Sequence, residues 1–175
     1  MTFSKPTQGF TLIELIISLS IIAILTAYAI PSYQQFKQNQ TMTHEINRLV
    51  ATINYARTQS ITISKHVILC PSVSFNACDG DSQWHNGWMV FVDSNRDRAF
   101  NDGDRMLLNE NRMNKTLTAI ASSFRPKIRF DAIGFAPGTN LTIRFCDTRG
   151  SDHGKAIIIS NVGRPRLSQN IISCY

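Results

Sequence analysis

Three stretches carry residues whose types and spacing could do chemistry. The first is Gly163-Arg164-Pro165-Arg166. Glycine permits a turn with positive φ, and proline stiffens the link between the two guanidiniums. In an extended strand residues two apart share a side, so Arg164 and Arg166 would form a forked pair. Guanidinium matches phosphate bidentately and stays charged at any relevant pH, so the chemistry on offer is capture of a phosphate. The competing reading is a hairpin pair neutralised by Asp147 or Asp152. The second stretch runs from Asp93 to Asp104, where oxygens at the first, third and fifth positions (Asp93, Asn95, Asp97) fit a calcium loop. Its sixth position is Arg98 rather than Gly, its twelfth is Asp104 rather than Glu, and Arg96 adds a further positive charge. We therefore read it as a polar hairpin whose Asp and Asn side chains cap backbone groups, and expect no metal. The third is Glu14, a lone carboxylate near the start of the apolar run at residues 10–30. An acid there costs several kcal/mol in lipid, which implies a partner or a function.

Catalysis has little support. No GxSxG or similar nucleophile motif occurs, and no cysteine stays free if all four are bridged. Zinc is disfavoured because no CxxC pair exists and His44, His66, His85 and His153 are scattered. Trp88 reads as core; Trp84 could stack on a sugar or base, though nothing nearby supports it. We expect neither an enzyme nor a cofactor.

The net charge of +6 is unevenly spread. Acids and bases nearly cancel up to Asn111. Beyond it Arg112, Lys115, Arg125, Lys127, Arg129, Arg144, Arg149, Lys155, Arg164 and Arg166 face only Asp131, Asp147 and Asp152. Such a block attracts an anionic partner, or serves simply as a solvated face. Arg144, Arg149 and Lys155 are the residues expected to widen the Arg164–Arg166 patch.

These groups need elements to position them. Residues 10–30 are long and apolar enough to cross a bilayer as one helix, and Pro31 is expected to bend it where it leaves the membrane. Residues 31–64 continue the helix, with Ile46, Leu49, Val50, Ile53 and Ala56 as an apolar stripe and Glu45 and Arg48 on other faces. Residues 65–175 then read as a β-rich head. Strands are expected at residues 66–70, 87–92, 105–108, 127–131, 140–146, 155–161 and 166–172, with turns at Asp79-Gly80, Pro137-Gly138 and Arg149-Gly150. A long helix followed by an antiparallel sheet is an α+β layout.

Gly9-Phe10-Thr11-Leu12-Ile13-Glu14 matches the type IV prepilin signal residue for residue. The resemblance implies that residues 1–9 are a leader, cut by a prepilin peptidase after Gly9. Phe10 would then be N-methylated and Glu14 would meet the α-amino group of a neighbouring subunit. Further along, LCPS, GWMVFVD, GD, FDAIGFAPG, IRFCD and IIISNVGRPR resemble the GspH/FimT family of minor pilins and pseudopilins in the same order, most nearly its FimT branch. That resemblance implies a non-enzymatic, single-pass inner-membrane protein with a periplasmic head that is monomeric in isolation. Other pilins are its implied partners, and a pilus or pilus tip its implied destination. The FimT branch is associated with DNA capture in natural transformation, and its GRxR motif coincides with Gly163–Arg166. The alternative is a structural subunit priming a pilus or a type II secretion pseudopilus.

In that compartment disulfides persist. Cys70, Cys78, Cys146 and Cys174 allow three pairings, and sequence alone does not choose. The turn-rich PSVSFNA between Cys70 and Cys78 favours pairing those two, which would leave Cys146 to hold Cys174 and the tail.

Overall fold

The computed structural model describes residues 9–169 and 171–174; of the expected leader, residues 1–9, all but Gly9 lie outside the described residues. One helix, α1 (Leu12–Ile63), leads into eight strands. They are β1 (His66–Pro71), β2 (Gly87–Asp93), β3 (Arg105–Asn111), β4 (Thr118–Ile120), β5 (Ile128–Phe130), β6 (Leu141–Cys146), β7 (Lys155–Ile159) and β8 (Pro165–Ser168).

Contacts divide the chain into Met1–Gln40 and Thr41–Tyr175, a boundary inside α1. In the first unit Thr11 begins the helix, its hydroxyl accepting the Glu14 backbone N–H at 3.3 Å. The Thr-x-x-Glu spacing is that of a capping box. The hydroxyls of Ser18, Ser20 and Thr26 donate back to the carbonyls of Glu14, Ile16 and Ile22, so these three donors are satisfied within the helix. The large apolar side chains from Leu12 to Ile30 are exposed, and α1 has a window of mean hydropathy 2.3, long and apolar enough to cross a membrane. α1 continues through Pro31.

In the second unit Met42, Ile46, Leu49, Ile53, Ala56 and Ser60 form a buried stripe at steps of three and four. Val50 is half-buried beside it. Glu45 corrects the sequence reading: it is buried rather than on an outer face. Its Oε1 accepts the Asn114 N–H at 3.0 Å, and its Oε2 lies 2.9 Å from the Arg48 guanidinium. Arg48 also lies over the Trp88 ring, 4.6 Å from its centroid, and 3.4 Å from Glu110. This ion group bridges the second half of α1 to the head, with one guanidinium shared between a buried carboxylate and a partly exposed one.

The head consists of two antiparallel four-stranded sheets, ordered β3-β2-β1-β5 and β4-β6-β7-β8. Alternation splits β1. Val67 and Leu69 join the core under α1, whereas Ile68 and Cys70 join a smaller cluster with Met89 and Phe91 on the opposite face. β2 is buried on both faces, which explains its unbroken apolar run. Phe75, Cys78, Phe100 and Met106 close the smaller cluster, bringing two long loops over the first sheet. Cys70–Cys78 ties one of those loops down, and Cys146–Cys174 ties the tail to β6.

The expected strands are present with shifted ends, and β4 is additional. At three residues it is too short to show a period, and its pairing with β6 defines it. β8 starts at Pro165, which pairs with Ile159, and ends at Ser168 rather than at residue 172. Proline is tolerated because β8 is an edge strand. Trp84 is fully buried in a short 3₁₀ turn, so the stacking role is withdrawn.

Candidate nucleic-acid interface

The two arginines sit on the hairpin joining β7 to β8. The Gly163 N–H donates to Ser160 O at 2.8 Å, closing a turn in which Gly163 has φ +77°. Gly163 is buried, and a Cβ there would stand 2.8 Å from Gly134 O and 3.0 Å from the Phe130 ring. Glycine is thus required twice, by dihedral and by close approach. Gly134 O also accepts the Arg57 Nε–H at 2.9 Å, and Asn161 O accepts the Ala136 N–H at 2.8 Å. The arginine turn is therefore braced against α1 through residues 134–136. Gly163→Ala should lower stability by about 1–3 kcal/mol, read as a fall in Tm of the purified chain.

Arg164 and Arg166 are both exposed. Among the described residues neither makes an ion pair. Asp147, one proposed neutralising partner, is taken by Arg149 at 2.6 Å. Burial pushes the Asp147 carboxyl up, but the hydrogen bonds and charge of Arg149 outweigh it and hold the group below the ordinary 3.8. A depressed carboxylate contributes stability above its unfolded pKa and loses it as pH falls through the folded one. The pair is therefore intact at neutral pH.

The register sorts the remaining predicted residues. Arg166 lies opposite Ile158, which lies opposite Thr142; Ser168 lies opposite Ala156, which lies opposite Arg144. Arg144 and Arg166 consequently share the face of the second sheet turned away from the core. On that face Arg144 and Ser168 line a cleft of ≈ 370 Å³ with Ile171 and Ile172 of the tail along its wall. Two residues depart from expectation. Lys155 lies opposite the buried Phe145, on the reverse face of the sheet from Arg166. Arg149 accompanies Asp147 rather than the patch, because its guanidinium donates to both Asp147 oxygens.

A second cationic group escaped the residue-level reading. Arg98, Arg125, Lys127 and Arg129 line a cleft of ≈ 360 Å³ floored by Ile68, Pro126, Pro137 and Thr139. Arg129 donates to Pro137 O at 3.4 Å and Lys127 to Arg98 O at 2.8 Å. The segment that carries Pro137 also holds Gly134 and Ala136, the braces of the arginine turn. The legible signal was Arg125-Pro-Lys127-Ile-Arg129, a period-two basic alternation leading into β5.

One long helix ahead of two antiparallel sheets, with two disulfides, defines a type IV pilin-like subunit. The chain belongs to the family described as type II transport protein GspH, which matches residues 45–163. The prokaryotic N-terminal methylation motif matches residues 4–30. Two fimbrial proteins from Pseudomonas aeruginosa are each 38% identical over 64 residues; the match spans 37% of this chain and 41% of theirs. Crystal structures of the type IV minor pilin FimU from Pseudomonas aeruginosa share the fold. One has TM-score 0.61 at 23% identity, over 82% of this chain and 99% of that one. A second crystal form has TM-score 0.56 at 24% identity, over 74% and 96%. The chain is thus a GspH-family protein with an N-terminal methylation motif and a type IV pilin-like fold.

Proposed function

We propose that this subunit binds extracellular DNA without sequence preference during uptake for natural transformation. The supporting observation is the rigid hairpin that holds Arg164 and Arg166 exposed, two residues apart, with no carboxylate taking their charge. Arg144 shares the face of the sheet that carries Arg166, and the Arg98–Arg129 group offers further phosphate contacts. No base-reading element accompanies them, so affinity should come from counterion release and fall steeply with salt. Fluorescence polarisation of labelled duplex against the detergent-solubilised chain tests this. Saturable binding that is independent of sequence and weakened by salt is the expected result. A purely structural role in priming a pilus or secretion pseudopilus predicts no affinity above that of an unrelated basic protein.

In this reading residues 1–9 are a leader removed by a prepilin peptidase, and Phe10 becomes the methylated N-terminus. Residues 10–30 anchor the chain in the inner membrane, residues 31–64 extend the helix, and residues 65–175 form the periplasmic head. Glu14 serves assembly by pairing with the amine of a neighbouring pilin in low dielectric. Intact-mass measurement on membrane-extracted protein should give a chain starting at Phe10. Glu14→Ala should be processed normally yet fail to incorporate into filaments, scored by the shear fraction. A mature terminus elsewhere, or normal incorporation of Glu14→Ala, contradicts this part.

A further inference from the structure

The loop from β2 to β3 contains a feature that neither pilus assembly nor DNA capture uses. One carboxylate oxygen from each of Asp93, Asp97 and Asp104 lies within 4.8 Å of the other two. Like charges so close repel unless something offsets them. Backbone and amide donors offset part of the charge. Ser94 and Asn101 N–H groups bond the two oxygens of Asp104, Ala99 N–H bonds Asp97 Oδ1, and the Asn95 and Asn101 amides bond Asp97 Oδ2. Arg98 N–H bonds Asp93 Oδ2 at 3.2 Å. Asp93 Oδ1 is the exception: Asp93 is 2% exposed, and this oxygen accepts no hydrogen bond. A buried carboxylate oxygen with no donor is costly unless a cation satisfies it. Among the described residues no ion pair within 4.0 Å reaches Asp93, Asp97 or Asp104, and the Lys127 charge acts only on Asp97, from farther away.

We infer that this loop is a low-affinity calcium site, with Asp93, Asn95, Asp97, Asn101 and Asp104 as its side-chain oxygen donors. These residues occupy the first, third, fifth, ninth and twelfth positions of a calcium loop. One sequence objection was Arg98 at the sixth position, where such loops need glycine for a left-handed turn. Arg98 has φ +66°, so it takes the glycine conformation. The Asn95 and Asn101 amides now donate to Asp97; rotating them would present oxygen instead. Asp104 replaces the usual bidentate Glu on a shorter arm. Affinity therefore falls in the roughly 10⁻⁴–10⁻³ M range of extracellular modules. Calcium is favoured over magnesium because a flexible all-oxygen loop suits its irregular shell, whereas magnesium demands octahedral geometry and keeps its water.

The test uses the full chain in detergent, stripped with EDTA and titrated with CaCl₂, MgCl₂, or NaCl at matched ionic strength. Calorimetry should show one calcium per chain, and Tm should rise by a few degrees at about 10 mM calcium but not in the controls. Asp97 lies on the exposed side of the loop, so Asp97→Asn should fold. In EDTA this variant should melt somewhat below wild type, because Asp97 also accepts hydrogen bonds from Ala99, Asn95 and Asn101, and it should lose the calcium gain, so the gap to wild type widens in calcium. That widening separates a ligand from a cap. A variant that melts lower by equal amounts with and without calcium would mark Asp97 as a hairpin cap and overturn the site. So would a wild-type chain with no saturable calcium binding up to about 10 mM, or one that magnesium stabilises equally.

Discussion

With Arg164 and Arg166 both changed to Gln, affinity for duplex DNA should fall about 60-fold at 0.1 M salt. Two phosphate contacts contribute about 1.8 to the slope of log K against log salt, which is about 1.8 decades between 1 M and 0.1 M. The loss should be equal for every sequence, and the salt slope should flatten by about two. The fold should survive, because both side chains are exposed and unpaired with acids, and surface changes of this kind cost under about 0.5 kcal/mol. In cells the variant should be made and processed but should not take up DNA. If it binds DNA as the parent does, the hairpin is not the contact, and the Arg98–Arg129 cleft becomes the surface to change next. If it assembles poorly while the parent shows no DNA affinity, the protein is a structural subunit.

Replacing Cys146 and Cys174 together by Ser should have the largest effect on stability. The bridge joins residues 28 apart in sequence, and a loop of that length constrains the unfolded chain by about 3.6 kcal/mol on the entropic account. Denaturant unfolding of the oxidised parent and the double variant measures the difference directly. The tail is packed as well as tethered: Ile171 fills the space a side chain at Gly154 would need, with its Cδ1 2.2 Å from where that Cβ would stand. Release of the bridge should therefore loosen the outer face that holds Arg144 and Arg166. DNA binding should weaken, but less than in the double Gln variant, since the charges remain. A double Ser variant as stable as the parent would show that packing alone holds the tail. Loss of Cys70–Cys78 should cost less, about 2.6 kcal/mol, because its residues are only 8 apart.

Much of this was legible in the chain because it rests on local rules. The helix follows from an apolar run that continues into a stripe at steps of three and four. The strands follow from β-branched and aromatic runs between turns. The turn before Arg164 follows from glycine. β4 was hidden because three residues show no period, and only pairing with β6 defines it.

By itself, then, the sequence determined the long apolar helix, the α+β order, the methylation motif and the local glycine turn before Arg164. Each depends on residues near one another along the chain. Tertiary structure decided what each charge faces, since that depends on partners distant in sequence and on which side of a sheet the register sets. It buried Glu45 against Arg48 and Asn114, and Trp84 in the core. It set Lys155 opposite Phe145, away from the patch, while leaving Arg144 on the face of Arg166. It also left Asp93 Oδ1 buried without a donor, because β2 carries that carboxylate inward while the loop returns Asp97 and Asp104 beside it. Charges are written in the sequence, but their neutralisation is settled by burial and distance, which only the folded chain supplies.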